Sequence, residues 1–439
     1  FQAEDGIRDR SPSRGLGDVY KRQTLPNALR IVTTPIPTTQ AAAVSLFVGV
    51  GSRSEPQHLN GITHFLEHMI FKGTGKRPAA NMIAEEIEGA GGSLNAYTTK
   101  ENTCYWQIVP FNRLETALDV TADMLLNSTL AVEEIDRERT VVQQELKRNH
   151  DHPAAWAARL IGQAVYGDQP CGWDVGGSIE GVGEMQRPDF LELINGWYIG
   201  SNIVLSVAGN VEHAQVLDLA GPLFDKIPTG KTPDYAPYDP HIEGSRLLVE
   251  SRPIDQCSLI LGLPSFGRND PRVPVLRLLN DILGAGMSSR LFHEVRERRG
   301  LAYSVHSSYG YLDDSGVFSI SAGVDNDRLL ETIKVCLDEL RKLKTEQVTV
   351  NELKRAKEHT IGRFRLSLET AFSLGQRHGE HLLMRGEIEE IESYVEDTEK
   401  VTADEILELA SDLFNENKLH CAVVGPDLNE EAIASELVL

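Results

Sequence analysis

Residues 61–71 read Gly-Ile-Thr-His-Phe-Leu-Glu-His-Met-Ile-Phe, and the rest of the chain is organised around this stretch. On a helix that turns by about 100° per residue, His64, Glu67 and His68 share one stripe about 100° wide, and the apolar residues fall outside it. Unpaired polar groups in an apolar core cost about 1–3 kcal/mol each. The stretch therefore predicts a helix that turns two imidazoles and a carboxylate away from the core.

Two imidazoles one helical turn apart can both bind a single Zn²⁺ ion, at about 2.0–2.1 Å from each nitrogen. Their order is H-x-x-E-H, the reverse of the common zinc-protease helix motif, and it leaves Glu67 free to act as a base. A catalytic zinc site usually has three protein ligands, so a carboxylate or a histidine on a neighbouring element is expected as the third. The pattern predicts a zinc centre that includes His64 and His68.

The predicted helix over residues 132–149 offers two candidates for the third ligand. Glu138 and Glu145 are seven residues apart, so they lie within about 20° of each other on one face, with Val141 and Val142 between them. Considered alone, such a pair more often belongs to a solvated face than to a site. The helix pattern by itself leaves both interpretations open.

The composition is that of a soluble globular protein, because 41% of the 439 residues are hydrophobic and 25% are charged. The length predicts about two to four domains. A formal net charge of −22 argues against a nucleic-acid partner, which would need a basic footprint. The same charge mildly favours cationic partners, although a well-solvated acidic surface is the simpler explanation.

The five cysteines are widely scattered and form no C-x-x-C pair, so neither a disulfide framework nor a thiolate zinc site is predicted. A reducing compartment fits this usage, and we expect the bacterial cytoplasm. A periplasmic location stays open, because the native amino terminus and a signal peptide could lie outside this sequence. No apolar run approaches the roughly 18 residues that span a bilayer, so no membrane span is expected.

Residues 1–23 differ from the rest of the chain. They read FQAEDGIRDRSPSRGLGDVYKRQ, with little hydrophobic periodicity and no initiating Met. This segment resembles a translated sequencing-adaptor read. We therefore expect it to be non-native and exclude it from the fold expectations.

The remaining chain divides into two halves, 24–226 and 246–439, joined by a linker over residues 227–245 that is rich in Pro, Gly, Asp and Tyr. The second half repeats the order of elements of the first, and both halves close on a strand that ends in Val-x-Gly. This repetition predicts an α+β protein of two homologous halves, each with an antiparallel-rich sheet and helices packed on it.

Four motifs carry a family resemblance: HFLEHMIFKGT at 64–74, NAYTTKENTCY at 95–105, ERTVVQQELKRN at 138–149 and GMSSRLFHEVRERRGLAYSV at 286–305. They resemble the pitrilysin/insulinase family of inverted-motif zinc peptidases. The likeness is closest to the shorter bacterial processing-peptidase members, which are similar to the mitochondrial processing peptidase β subunit. It extends from about Thr24 to the last residue and implies a clamshell-type metallopeptidase.

The resemblance implies one Zn²⁺ per chain, held by His64, His68 and Glu145. Glu67 would be the general base that activates water, and Glu138 would support the ligands. Gln144 stands where some relatives carry a second acidic residue, which leaves the ligand itself unaffected.

The resemblance also implies residues that handle substrate. Tyr303 would donate to the oxyanion of the tetrahedral intermediate, and Arg296 would hold substrate backbone or oxygen, both from the second half. An edge strand would pair with an extended peptide. Its residues are Asn95, Ala96, Tyr97, Thr98 and Thr99.

The function implied is a zinc-dependent endopeptidase that cuts extended peptides or unfolded presequences, with a preference for basic ones because the chain is acidic. The alternative is a non-catalytic binding or assembly subunit, which would typically have lost a ligand or the base. This chain has both the zinc-binding residues and the Arg296/Tyr303 pair, which implies a homodimer. A heterodimer with an inactive partner stays open.

Two further histidine pairs are not expected to bind metal. His378 and His381 stand three apart on a predicted helix, but we expect Gly379 to interrupt it, and no third ligand is evident. His150 and His152 occupy a helix-ending turn before Pro153, where ligation is disfavoured by the spacing.

Overall fold

Two β-sheets, one in each of two units, form the framework of the chain, which a computed structural model describes over residues 20–242 and 244–439. Every helix in this part of the chain is too short or too polar to span a lipid bilayer. The first unit comprises residues 20–146, 174–236 and 365–392, and the second comprises 147–173, 237–364 and 393–439.

A six-stranded sheet organises the first unit. Its strands, in chain order, are β1 (Lys21–Thr24), β2 (Arg30–Pro35), β3 (Ala41–Val48), β4 (Ser93–Thr98), β5 (Thr103–Pro110) and β6 (Ile203–Gly209). They are ordered β1-β2-β6-β3-β5-β4, with β2 parallel to β6 and all other neighbours antiparallel. β4 therefore forms one edge of the sheet.

A five-stranded sheet organises the second unit. Its strands are β7 (Leu247–Ser251), β8 (Gln256–Ser265), β9 (Ala302–Tyr311), β10 (Gly316–Asp325) and β11 (His420–Gly425). Their order, β7-β11-β8-β10-β9, repeats β2-β6-β3-β5-β4, including the single parallel pair. The predicted α+β fold with two homologous halves is confirmed.

Fifteen α-helices lie within the described residues. In chain order they are α1 (Ile62–Ile70), α2 (Ala80–Glu88), α3 (Leu114–Asn127), α4 (Val132–Asp151), α5 (Pro153–Tyr166), α6 (Ile179–Glu184), α7 (Arg187–Trp197), α8 (His213–Phe224), α9 (Val273–Gly284), α10 (Leu329–Thr345), α11 (Val350–Ser367), α12 (Ala371–Met384), α13 (Ile391–Lys400), α14 (Ala403–Leu413) and α15 (Glu430–Glu436). A π-helical segment spans Phe292–Glu297.

Each half of the sequence contributes one helix to the other unit. α5 packs on β8 and β11 in the second unit, and α12 packs on β2, β3 and β6 in the first. The division into 24–226 and 246–439 misses this exchange and needs correction, although the boundary at 236/237 does fall within the predicted linker 227–245. Both faces of each sheet are apolar, so each sheet needs helices on both faces. α5 and α12 cover the faces that the other helices leave.

Glycines on α12 let that helix approach the sheet closely. An added Cβ would lie 3.1 Å from the Ala208 side chain at Gly375 and 2.3 Å from the Phe47 ring at Gly379. The expectation that Gly379 interrupts the helix is wrong, because α12 runs through it. His378 on the same helix is fully buried, and its Nδ1 lies 2.7 Å from Oγ1 of Thr34. This histidine therefore serves the packing of α12 on the sheet.

The amino-terminal boundary also needs correction. Residues 1–19 lie outside the described residues, but Lys21–Thr24 forms β1 and pairs antiparallel with β2 from Lys21↔Thr33 to Thr24↔Arg30. Residues 21–23 therefore take part in the first sheet, because backbone pairing does not depend on the hydrophobic periodicity that predicts them outside the fold. All five cysteines are buried and form no disulfide.

Candidate metal centre

The helix α1 begins at a turn fixed by a buried carboxylate. Gly61, at φ = 101°, precedes the helix, and a Cβ there would lie 2.5 Å from the carbonyl oxygen of Gly176. The Glu55 carboxylate accepts hydrogen bonds from the backbone N–H groups of Gly61 and Thr63, at 2.7 and 2.8 Å, and from Nδ2 of Asn60 at 2.9 Å. These contacts satisfy the first donors of the helix and fix its starting point.

The two faces of α1 have the predicted character. The apolar residues outside the histidine stripe are all buried in the core of the first unit, whereas the side chains of His64 and His68 keep 15% and 20% of their surface exposed. The buried residues are Ile62, Phe65, Leu66, Met69 and Ile70.

Three side chains that can bind a metal meet at this stripe. Oε2 of Glu145, on α4, lies 3.9 Å from Nε2 of His64 and 3.5 Å from Nε2 of His68. Among the described residues, these three form the one group whose ligand atoms all lie within 4.8 Å of one another. Tetrahedral Zn²⁺ with ligands at about 2.0–2.1 Å separates its donors by about 3.3 Å. The donor set therefore fits zinc in type and spacing.

Glu138 connects this group to a lysine. Its Oε1 lies 2.9 Å from Nδ1 of His68, and its Oε2 lies 2.6 Å from Nζ of Lys72. Burial raises the pKa of Glu138, but hydrogen bonds from His68 and Lys72 outweigh burial and leave the pKa lowered. The anionic carboxylate holds the Nδ1 proton of His68, so Nε2 is the nitrogen free to bind a metal.

Glu67 stays outside the ligand group. Its Oε2 accepts a 2.8 Å hydrogen bond from Oγ1 of Thr98 on β4. Burial raises the pKa of the Glu67 carboxyl, and the hydrogen bond from Thr98 opposes that rise. A partly buried carboxylate of raised basicity beside a candidate metal site is suited to take a proton from water.

The predicted substrate residues 95–99 lie on β4 and, for Thr99, directly after it, and most of their side chains are engaged within the protein. Tyr97 donates from its hydroxyl to Oε1 of Gln376 at 3.0 Å, and Thr99 donates to the carbonyl of Asn102 at 3.0 Å. Asn95 is exposed, and Ala96 is partly buried against the core. Because β4 pairs with β5 alone among the described strands, its second backbone edge has no strand on it. The backbone is thus the better candidate for binding a peptide.

Arg296 and Tyr303 lie together in the second unit. The Arg296 guanidinium carbon is 5.0 Å from the centre of the Tyr303 ring and 4.9 Å from that of Phe292. Arg296 belongs to the π-helical segment, and Tyr303, on β9, is 80% exposed. Their roles in catalysis stay predictions.

The histidines near the end of α4 have other partners. His152 caps α5, where its Nδ1 accepts from the backbone N–H of Ala155 at 3.3 Å. The His150 ring packs edge-on against Trp156, and its Nε2 lies 3.0 Å from Nη2 of Arg252. Among the described residues, neither histidine belongs to a possible metal group.

Sequence reasoning missed three residues that organise the site: Glu55, Lys72 and the hydroxyl of Thr98 as a partner of Glu67. Lys72 stands four residues after His68 and two residues beyond the end of α1, so a position near His68 follows from the helical repeat of the motif. Glu55 and Thr98 reach α1 through a turn and from another strand, and no local pattern reveals such contacts.

Comparison with known proteins identifies the family. The family model described as Insulinase (Peptidase family M16) matches residues 30–177, and the one described as Peptidase M16 inactive domain matches residues 184–359. This chain belongs to peptidase family M16, and the predicted membership of the pitrilysin/insulinase family is confirmed. The three candidate metal ligands all fall within the first of the two matched segments.

Relatives that match nearly the whole chain are named zinc proteases. An uncharacterized zinc protease of Streptomyces coelicolor is 35% identical over 424 residues, which are 95% of this chain and 92% of the relative. The uncharacterized zinc protease YmxG of Bacillus subtilis is 34% identical over 411 residues, 94% of this chain and 99% of the relative. The crystal structure of a protease from Helicobacter pylori shares the fold, with a TM-score of 0.85 at 22% identity over 93% of this chain and 99% of that one.

Proposed function

We propose that this protein is a zinc-dependent endopeptidase that hydrolyses extended peptides or unfolded presequences. The observation that carries the proposal is the meeting of His64, His68 and Glu145 on two helices, with Glu67 beside them and outside the ligand group. Relatives named zinc proteases, at 34–35% identity over nearly the whole chain, support the same conclusion.

The protein residues have distinct parts in the proposed reaction. His64, His68 and Glu145 hold the ion, and the chemistry that a bound Zn²⁺ supplies there is Lewis acidity toward water and the scissile carbonyl. Glu67 accepts a proton from the attacking water and passes it to the amine of the leaving peptide. The free backbone edge of β4 aligns the substrate as an added strand.

Tyr303 and Arg296 complete the proposed machinery. Tyr303 donates to the oxyanion, and Arg296 holds substrate backbone. Both assignments rest on the family resemblance, and the 80% exposure of Tyr303 supports the first. Removing one oxyanion donor typically lowers turnover about 10²–10³-fold. A Tyr303→Phe variant should show that loss while keeping its bound zinc.

A non-catalytic assembly subunit is the competing function. Such a subunit has no need of a base beside a ligand group, yet Glu67 and all three candidate ligands are present and the imidazole of His68 is held by Glu138. These groups would be costly to keep partly buried without a role. We therefore favour the enzyme.

The decisive experiment combines metal quantification with peptide cleavage. The wild-type protein should bind one zinc per chain and cut a quenched peptide pool, with cuts mapped by mass spectrometry. Glu67→Gln should keep the zinc and lose hydrolysis, and Glu145→Gln should lose both. Glu133→Gln, an exposed position on α4, is the matched control and should behave as wild type. Peptidase activity in the Glu67→Gln variant would overturn the assignment.

Two finer features of the proposal have their own measurements. A preference for Arg or Lys near the cut follows from the net charge of −22, and the same cleavage map tests it. A map without basic residues near the cuts contradicts that preference. The predicted homodimer is tested by light scattering of the isolated protein, where a monomer mass contradicts it.

A further inference from the structure

Thr98 lies at the end of β4 and turns its hydroxyl toward the proposed base. Oγ1 donates to Oε2 of Glu67 at 2.8 Å, and among the described residues no other group donates a hydrogen bond to that carboxylate. The contact joins an edge strand to the helix that carries two candidate metal ligands. The family resemblance, by contrast, groups Thr98 with the residues that bind substrate.

The alternation of side chains along β4 explains why Thr98 faces Glu67. Successive residues of a strand point to opposite faces. Leu94 and Ala96 pack against the core that contains α1, and Thr98 follows them on that face. Tyr97 points to the other face, where its hydroxyl meets Gln376 of α12. The Thr98 hydroxyl is thus committed to the interior of the first unit.

We propose that Thr98 is a positioning residue for the general base, an inference that rests on the proposed peptidase function. The Thr98 hydroxyl holds Oε2 of Glu67, so the other oxygen, Oε1, is the one presented to the attacking water. A glutamate has three rotatable side-chain bonds, and one fixed oxygen removes most of its freedom at the carboxylate. Small misplacements of a reacting group lower the rate strongly, so this restraint acts on turnover.

The positioning role and the substrate-binding role of Thr98 predict different kinetics. A group that holds the base affects the chemical step and leaves peptide affinity unchanged, whereas a group that binds peptide affects affinity. The backbone edge of β4, which is the proposed peptide contact, does not involve the Thr98 hydroxyl. Turnover and affinity therefore separate the two roles.

The test compares Thr98→Val with Thr98→Ser in the zinc-loaded protein. Valine keeps the shape of threonine but has no hydroxyl to donate. The kcat of Thr98→Val should fall about 10–100-fold with KM unchanged, because one hydrogen bond to a charged group is lost. Ser restores the donor and should keep kcat within about twofold of wild type. Should Val prevent folding, Thr98→Ala carries the same comparison.

Thr103→Val is the matched control for the loss of a strand hydroxyl. Thr103 is the cross-strand partner of Thr98, but its Oγ1 donates to the carbonyl of Val50 at 2.9 Å and does not contact Glu67. It should keep the wild-type kcat. An equal loss of kcat in Thr103→Val and Thr98→Val would show a general defect of the strand pair and overturn the positioning role.

A second readout does not depend on turnover. In the inactive Glu67→Gln background, adding Thr98→Val should leave the dissociation constant of a bound peptide unchanged; weaker binding would assign Thr98 to substrate and overturn the proposal. If the wild type hydrolyses peptides and Thr98→Val has the same kcat, the positioning role alone is overturned. A wild type that hydrolyses no peptide overturns the proposed function, and this inference with it.

Discussion

Oε1 of Glu138 lies 2.9 Å from Nδ1 of His68, and this contact determines which nitrogen of His68 faces the other candidate ligands. Glu138 is buried on α4, two helical turns before Glu145, so one helix supplies both a ligand and the residue that orients another ligand. Lys72 holds the second oxygen of Glu138 at 2.6 Å. The metal centre therefore depends on a chain of contacts that reaches beyond the ligands.

Glu138→Gln should weaken zinc binding about 10–100-fold, because groups that orient a metal ligand typically contribute that much to affinity. The neutral amide holds the Nδ1 proton less strongly and leaves Lys72 without its anionic partner. Competition with a fluorescent zinc chelator measures the affinity. Glu133→Gln, exposed on the same helix, is the control and should bind zinc as wild type does. Equal affinities for all three proteins would contradict the orienting role of Glu138.

Removing zinc should lower the thermal stability of the first unit. A ligand present at about 1,000 times its dissociation constant stabilises the folded state by about 4 kcal/mol, which corresponds to roughly 10 °C for a unit of this size. Scanning calorimetry with and without a chelator measures the shift. The Glu145→Gln variant lacks a ligand, so a chelator should change its unfolding temperature little. A shift of the same size in Glu145→Gln would show that the stabilisation by zinc does not come from the proposed site.

Gly379→Ala should destabilise the packing of α12 on the first sheet. The new Cβ would lie 2.3 Å from the Phe47 ring and 2.9 Å from Cβ of Ser206, and overpacking of a well-packed core typically costs about 1–3 kcal/mol. Gly362→Ala is the matched control, because this helical glycine of α11 has no atom within 4 Å of an added Cβ. It should stabilise the protein by about 0.5–1 kcal/mol, since alanine favours helix. Urea unfolding measures the free energy of unfolding of both variants. A change of the same sign in both would contradict the packing explanation.

The parts of this protein that sequence predicted are those set by local periodicity. The stripe of His64, Glu67 and His68 follows from the helical repeat, and the five buried apolar residues of α1 follow from the same repeat. The duplicated sheets follow from the repeated order of strand and helix patterns. Local pattern fixes what an element is and which of its faces is buried.

The parts that sequence missed depend on contacts between distant segments. Periodicity shows that α5 and α12 each bury an apolar face, but it does not specify which sheet covers that face, so their exchange between the units was not predictable. The poor helix propensity of Gly379 predicts a helix break, but packing against Phe47 overrides that propensity. The contact from Thr98 to Glu67 joins residues 31 positions apart and leaves no local signal.

Glu294 provides a pH-dependent contribution to the stability of the segment that carries Arg296. Its carboxylate pairs with Arg299 and, at 2.7 Å, with Arg298, and these partners lower the pKa of Glu294 from 4.5 to about 2. A pKa that is lower in the folded state adds stability that is fully present above about pH 4.5 and is lost as the pH falls toward 2. Glu294→Gln should therefore cost about 0.5–1 kcal/mol at pH 7, the range of a good surface ion pair. That cost should shrink steadily below pH 4.5. Urea unfolding of wild type and variant between pH 7 and pH 3 measures the difference.

Glu358→Gln, on the exposed face of α11 with its lysine partner at 3.9 Å, should show almost no difference at any pH. A cost of Glu294→Gln that stays constant down to pH 3 would contradict the ion-pair origin of the stabilisation.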